Sequence, residues 1–450
     1  MIHKYAMNGL KIVVDVNSGS VHVVEDVVYD ILDLVTNYSE TEIVKMLGKK
    51  YDEKAIREAY NEIIKLKNEG LLFSQDIYKE RVMAKKENCS IKALCLNIAH
   101  DCNLRCEYCF ASTGDYHGGR KLMPLEVAKK AIDFLIENSG NRNKLEIDFF
   151  GGEPLLNFDV VKASVEYGKS IEGKYSKHIG FTLTTNATLL NEEIMDYLNE
   201  NMDNVVLSID GRKNINDRMR KTVNGKGTYD IIMPKIKEFV GKRGGKSHYI
   251  RGTFTKNNID FGNDVLALAD EGFKEISIEP VIAEREKKYA LSEDDLQLVM
   301  EEYENLARSI IEYDKQGKKF RFYHYMIDLN GGPCIYKRIS ACGSGVEYFA
   351  VTPDGDLYPC HQFVGREGYL MGNVYEGIKN NELRDKFLEN TVYNKPKCMD
   401  CWAKFYCSGG CQANADAFNG DLKKPYDLEC KLQQKRIECA IMLKAYYSIV

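Results

Sequence analysis

The sequence predicts an α/β protein whose body is a partial barrel of six parallel β/α units. A small hairpin-and-helix unit precedes the barrel, and a loop-rich, cysteine-dense region follows it. Three observations predict this. Between residues 91 and 315, short apolar strand patterns alternate with helical ones in series, the mark of parallel strands covered by helices. Residues 10–70 switch from strand-like to helix-like periodicity within a compact span, and from residue 330 onward periodicity fades while Gly, Pro and Cys take over. The 450 residues, 44% hydrophobic and 29% charged, suit a globular chain of about three domains.

The first unit, residues 1–75, opens with LKIVVDVNSGSVHVV at 10–24, two apolar strands about the turn Asn17-Ser18-Gly19. Helices are expected over 26–36, from the capping residue Ser39, and over 52–68, with Gly70 as terminator and LLFS as a short returning strand. The charged stretch 76–90 reads as a linker. In the body, 91–315, strands are expected at 92–98, 145–150, 179–185, 204–209, 247–255 and 274–280. Helices are expected near 124–138, 157–171, 191–200, 228–240, 260–270 and 292–314. Six right-handed units make a partial, TIM-like (β/α)6 barrel, short of the eight that close one. The last region, 316–450, has too little periodicity to hold itself, and bound metal could supply the cross-links.

A net charge of −5 gives no support for coating nucleic acid. No apolar run reaches membrane-span length and the N-terminus lacks a secretory pattern, so a cytoplasmic protein without a membrane role is expected. In that compartment the 14 cysteines cannot be a disulfide framework. They cluster: Cys102, Cys106 and Cys109 stand together, nine more lie from Cys334 to Cys439, and none falls between Cys109 and Cys334.

Cys102-Asn-Leu-Arg-Cys106-Glu-Tyr-Cys109 follows the first barrel strand, on the face where barrel active sites form. Three thiolates can hold three irons of a [4Fe–4S] cube and leave the fourth iron open. Structural zinc is the alternative, although it favours four ligands in paired halves. Gly151-Gly152-Glu153-Pro154 ends the second strand, Thr184-Thr185-Asn186 the third and Ser208-Ile-Asp210-Gly211 the fourth. Alone, GGEP could be an ordinary turn, and Arg220 could be a solvated surface residue.

Together, over about 92–315, these motifs resemble the radical S-adenosyl-L-methionine (SAM) superfamily. The resemblance implies a cube at Cys102, Cys106 and Cys109 that cleaves SAM to a 5′-deoxyadenosyl radical. It also implies SAM contacts from Tyr108, Gly151, Gly152, Glu153, Thr184, Asn186, Ser208, Asp210 and Arg220.

Downstream, Cys342-x12-Gly355-x4-Cys360 is followed by Cys398-x2-Cys401-x5-Cys407-x3-Cys411 and, eighteen residues later, Cys430. This is similar to the seven-cysteine signature of SPASM domains. The resemblance implies two auxiliary [4Fe–4S] clusters, one on Cys342, Cys360 and Cys411, the other on Cys398, Cys401, Cys407 and Cys430. Three [4Fe–4S] clusters and SAM are thus the expected cofactors. Cys334 could complete the first auxiliary set, or an open iron there could take a substrate thiolate. Cys89, Cys95 and Cys439 read as packed thiols. His361 stands where sulfatase-maturating relatives usually carry a catalytic Asp.

The N-terminal unit resembles a RiPP recognition element, which binds a peptide leader as an added strand. A DNA-binding helix-turn-helix has the same shape, but residues 25–70 carry no basic excess. The whole layout resembles the SCIFF-peptide maturases. The implied activity is radical-mediated thioether formation between cysteine sulfur and carbon in a Cys-rich precursor peptide, with flavodoxin or ferredoxin as electron donor. The alternatives are another SPASM activity, such as anaerobic sulfatase maturation to formylglycine, and a non-catalytic, metal-stabilised peptide-binding scaffold.

Overall fold

The structure, a computed structural model, describes residues 1–83, 89–329 and 335–449. Strands β1 (Ile2–Met7), β2 (Leu10–Asp15) and β3 (Val21–Val23) form an antiparallel sheet in that order. The β2–β3 hairpin is as expected; β1 is an addition. Its turn is Asn8-Gly9, with φ of 49° and 76°, the residue pair that favours a tight hairpin.

Helix α1 (Asp26–Ile31) is shorter than 26–36. Helix α2 (Glu40–Leu47) starts where expected, because the Glu42 carboxylate accepts from both the Ser39 N–H and its hydroxyl. Helix α3 (Glu53–Asn68) is capped by Asp52 and ends at Gly70, whose φ of 74° suits glycine. Residues 71–73 are a bend and not the expected strand. Their backbone turns across β3, and the Leu71 carbonyl meets the His22 ring at 3.1 Å.

The alternation of β2 divides two cores. Ile12 and Val14, with Tyr5 and Met7 of β1, face the main core, while Val13 faces Ile31, Ile43, Ile56 and Ile63 of the three helices. The unit is therefore docked on the body. At β1, the Tyr5 hydroxyl donates to the Glu438 carbonyl at 2.8 Å, and the His3 ring stacks on Trp402 at 3.8 Å. This leaves β3 as the other edge of the small sheet. In the linker, Tyr78–Met83 is helical, and Asp76 accepts from the Tyr393 hydroxyl at 2.8 Å; 84–88 lie outside the described residues.

The six expected body strands are β4 (Ala93–His100), β5 (Lys144–Gly151), β6 (His178–Thr185), β7 (Asn204–Ser208), β8 (Ser247–Phe254) and β9 (Glu275–Pro280), each parallel to its neighbour. Helices α4 (Leu125–Glu137), α5 (Phe158–Tyr175), α6 (Glu192–Asn201), α7 (Tyr229–Lys242), α8 (Phe261–Asp270) and α9 (Leu296–Lys315) lie between and after them. Parallel strands extend the sheet at both ends, β10 (Arg321–Phe322) beside β9 and β11 (Tyr348–Val351) beside β4. Beyond β11 the short antiparallel strands Asp356–Tyr358, Gly372–Asn373 and Gly377–Ile378 continue it, and Lys121–Leu122 pairs with the end of β4. The C-terminal region thus joins the barrel's own sheet.

Register aligns Cys95, Asp148, Thr182 and Asn204 across β4–β7. This polar row stands where a packed barrel would carry branched aliphatics. It lines a hollow of about 360 Å³, and Tyr323 beyond β10 and Tyr348 in β11 face the same space, so the sheet's two ends curl round it. Among the described residues no helix is long and apolar enough to cross a membrane. The longest, α10 (Asp427–Ile449), lies against α9 and β1.

Candidate active site

Cys102, Cys106 and Cys109 lie on the loop leaving β4. Backbone bonds from Arg105 N–H to Lys221 O and from Glu107 N–H to Met219 O pin this loop to the segment before α7. The three thiols lie within electrostatic reach of one another. Burial pushes the Cys102 and Cys106 thiols up to about 12, so a thiolate would persist there only with metal to compensate it. The Leu104 N–H approaches Cys102 Sγ at 3.4 Å and the Asn186 amide at 3.7 Å, donors of the kind that surround cluster sulfurs. Among the described residues, no three His, Cys, Asp or Glu side chains gather on a single ion's position; a cube instead spreads its ligands over separate irons.

These cysteines form one wall of a cavity of about 250 Å³ at the C-terminal ends of the strands. Tyr108, Gly151, Gly152, Glu153, Thr184, Asn186, Ser208 and Arg220 also line it. A Cβ on Gly152 would stand 2.1 Å from the Asp101 carbonyl, and one on Gly151, whose φ is 126°, 2.4 Å from that of Ala99. Only glycine lets this backbone reach the first strand and face the cavity.

Glu153 braces the wall. Its carboxylate accepts from Thr185 Oγ1 at 2.7 Å, Asn186 N–H at 2.8 Å and Leu155 N–H at 3.1 Å, and full burial raises it to about 7. Asp210 does not line the cavity. It sits behind the wall, fully buried, accepting from the Tyr108 hydroxyl at 2.6 Å, Arg220 Nε at 3.0 Å and Thr253 N–H at 3.0 Å. Arg220 is only 8% exposed and lies over the Tyr108 ring at 5.6 Å, which excludes the solvated-surface reading.

Sequence reasoning missed Arg251, Thr253 and Glu279 on the same wall. Arg251 donates to Glu279 at 2.7 Å. Burial raises the Glu279 carboxyl, but Arg251, His324 and Arg436 together outweigh it and hold the group at about 2. Strand alternation could have found Arg251 and Thr253, which share the inward face of β8. His361 also lines the cavity, stacked on Phe150 at 4.9 Å, and burial lowers it to about 4.

The second cysteine group falls into two neighbourhoods. Cys360 feels Cys411 and Cys342, whereas Cys407 feels Cys398 and Cys401, and Cys430 feels Cys407 and Cys398. Burial pushes Cys360, Cys407, Cys411 and Cys430 up to about 12, again thiols that suit metal. Cys334 lies outside the described residues. Cys439 and Cys95 are buried and Cys89 half-buried, although Cys95 faces the lower hollow.

Comparison with known proteins agrees with this geometry. Residues 96–260 match the radical SAM superfamily, and residues 342–402 match SPASM, an iron-sulfur cluster-binding domain. An uncharacterised protein of Methanocaldococcus jannaschii is 32% identical over 64% of this chain and 91% of its own length. The chain belongs to the radical SAM superfamily.

Membership makes it a radical SAM enzyme, an oxidoreductase-type catalyst that binds SAM and [4Fe–4S] clusters. A cysteine-type anaerobic sulfatase-maturating enzyme of Clostridium novyi is 25% identical over 73% of this chain and 89% of its own. The structure of Streptococcus suis SuiB bound to precursor peptide SuiA has the same fold, with a TM-score of 0.54 and 18% identity over 95% of this chain and 98% of that one. This radical SAM chain therefore shares its fold with that structure over 95% of its length.

Proposed function

We propose that the enzyme forms thioether links in a ribosomally made, Cys-rich precursor peptide, as the SCIFF-peptide maturases do. The observation that carries the reading is the position of the first auxiliary set. Cys360 is followed directly by His361 and Gln362, and both line the SAM cavity. A thiolate held on that set would meet a radical formed in the cavity at short range. A relative named for sulfatase maturation and a similar structure bound to a precursor peptide support a peptide substrate.

In this reading Cys102, Cys106 and Cys109 hold the SAM-cleaving cluster. Cys342, Cys360 and Cys411 hold one auxiliary cluster, and Cys398, Cys401, Cys407 and Cys430 the other. These groups, when bound and reduced by a flavodoxin or ferredoxin, supply a radical that removes hydrogen from carbon and an acceptor for the surplus electron. The chain's own residues orient the reactants. The Gly151–Gly152 backbone and Asn186 would offer polar groups to the amino acid moiety of bound SAM, and Arg220, fixed by Asp210, would pair with its carboxylate. Phe110 and Phe150 form an apolar side of the cavity, which keeps water from the reacting carbon.

The leader docks at residues 1–75, along β3. That edge lies beside a groove of about 370 Å³ between β3 and α3, while the opposite edge is held against the body. An added strand there satisfies backbone groups and fills apolar pockets. Core residues then reach the cavity through an adjoining mouth of about 740 Å³ between Tyr108, the 282–289 loop and Asn414.

The test is anaerobic incubation with SAM, reductant and a Cys-rich precursor peptide. Mass spectrometry should show loss of a hydrogen pair per link, with every sulfur retained. Loss of sulfur from a cysteine would point instead to formylglycine chemistry and overturn the thioether reading.

A further inference from the structure

We infer that the groove beside β3 selects a peptide strand carrying lysine or arginine at alternate positions. This rests on the leader-docking reading and adds the chemistry of the occupant.

The groove exists because of two small side chains. Ala55 and Ala59, one turn apart on α3, present methyl groups where Ile63 and Leu66 further along the helix fill the space. Val13, Val27, Leu32 and Leu72 complete an apolar floor. The rim is different. Glu58 and Glu62 on α3 and Glu25 ahead of α1 line the groove as exposed carboxylates, and no Lys or Arg lines it among the described residues. Glu58 has Lys54 at 3.8 Å, but both side chains are mostly exposed, so the pair is weak. Glu25 and Glu62 have no ion-pair partner among the described residues.

Carboxylates of one sign beside a low-dielectric floor focus a negative potential into the groove, and a cationic strand relieves it. Long basic side chains suit the site doubly, since their stems lie on apolar surface while their heads reach the rim. Spacing favours alternation. Glu58 and Glu62 are four residues apart on a helix, about 6 Å along its axis. Strand residues two apart are separated by about 6.6 Å and point the same way. Two basic residues at such positions match the two glutamates, with their stems on the floor, while the residue between them points away from the groove.

The experiment selects a random-peptide phage library on the full chain, alongside two variants. The wild-type chain should enrich peptides bearing Lys or Arg at alternate positions, with binding that weakens as salt rises. Glu58→Lys with Glu62→Lys, on the exposed face of α3, should shift preference toward Asp and Glu by about tenfold. Ala55→Phe, with an unchanged melting midpoint, should abolish enrichment by filling the groove.

Neutral or acidic peptides that bind the wild-type chain and are lost in Ala55→Phe would overturn the charge selection while leaving docking intact. Enrichment indifferent to a folded Ala55→Phe would overturn docking itself. If Ala55→Phe does not fold, the charge-reversed chain still decides: an unchanged preference sinks the inference.

Discussion

Asp210 shows how a buried residue governs a site it does not touch. It is the shared acceptor of the Tyr108 hydroxyl and Arg220 Nε, and both of those side chains face the cavity. Asp210→Asn keeps the shape but removes the charge opposite a buried guanidinium, and breaking such a pair costs about 3–5 kcal/mol. Arg220 would then be drawn out of its place in the cavity wall, and with it the carboxylate contact proposed above. We expect SAM affinity to fall by at least about tenfold while iron at Cys102, Cys106 and Cys109 is retained. Equilibrium SAM binding and iron analysis on one preparation check this, and unchanged affinity would remove Asp210 from the positioning role. The motif Ser208-Ile-Asp210-Gly211 marked the right strand end. A strand end read from sequence cannot separate the residue facing a cavity from the one bracing it, and only the structure puts Ser208 in the wall and Asp210 behind it.

Elements with a single buried stripe were legible in the sequence, and those buried on more than one side were not. Helices α4 to α9 show the periodicity of one face against a sheet and were anticipated. The C-terminal helix α10 was not, because Leu432, Arg436, Cys439, Ile441 and Met442 are buried in different directions and no stripe stands out. Strands β10 and β11 escaped notice because a few residues carry no period.

Yet α10 and the β10 edge are chemically joined. Arg436 donates to His324 Nδ1 at 3.2 Å, which leaves the Nε2 proton to be donated to Ser277 Oγ at 3.1 Å. Burial and the Arg436 cation lower His324 to about 3 from its usual 6.5, with Glu279 at 3.9 Å as the nearest carboxylate. Between those pH values the unfolded chain binds a proton that the native chain refuses, so stability falls as pH drops below 6.5. At pH 5 the loss amounts to about 2 kcal/mol. His324→Gln should flatten the decline between pH 6.5 and 5 by that amount, read from denaturation midpoints of both chains at matched pH. Equal slopes would show that His324 is not the titrating group.

At the scale of the whole molecule, the two cysteine regions rest on unequal frameworks. The first loop leaves a central strand and is pinned by the Leu104–Thr222 bridge and two further backbone bonds. Cys398 and Cys407 sit on the short helices Pro396–Met399 and Lys404–Cys407, with Cys401 between the two and little sheet nearby. Metal should therefore be dispensable to the fold at the first set and structural at the second. The intact enzyme should hold about twelve irons, as three cubes. Replacing Cys102, Cys106 and Cys109 by Ala should leave about eight and end SAM cleavage, with hydrogen exchange across the sheet unchanged. Replacing Cys398, Cys401 and Cys407 should also leave about eight, but exchange over residues 395–430 should rise sharply while β4 to β9 stay protected. The asymmetry follows from where each loop finds its support: β11 and the short strands after it tie the C-terminal region to β4, and beyond them the proposed auxiliary clusters would be the cross-links. Equal protection in the two variants would mean that short helices and side-chain packing alone hold the region, and the clusters there would serve electron transfer without a share in folding.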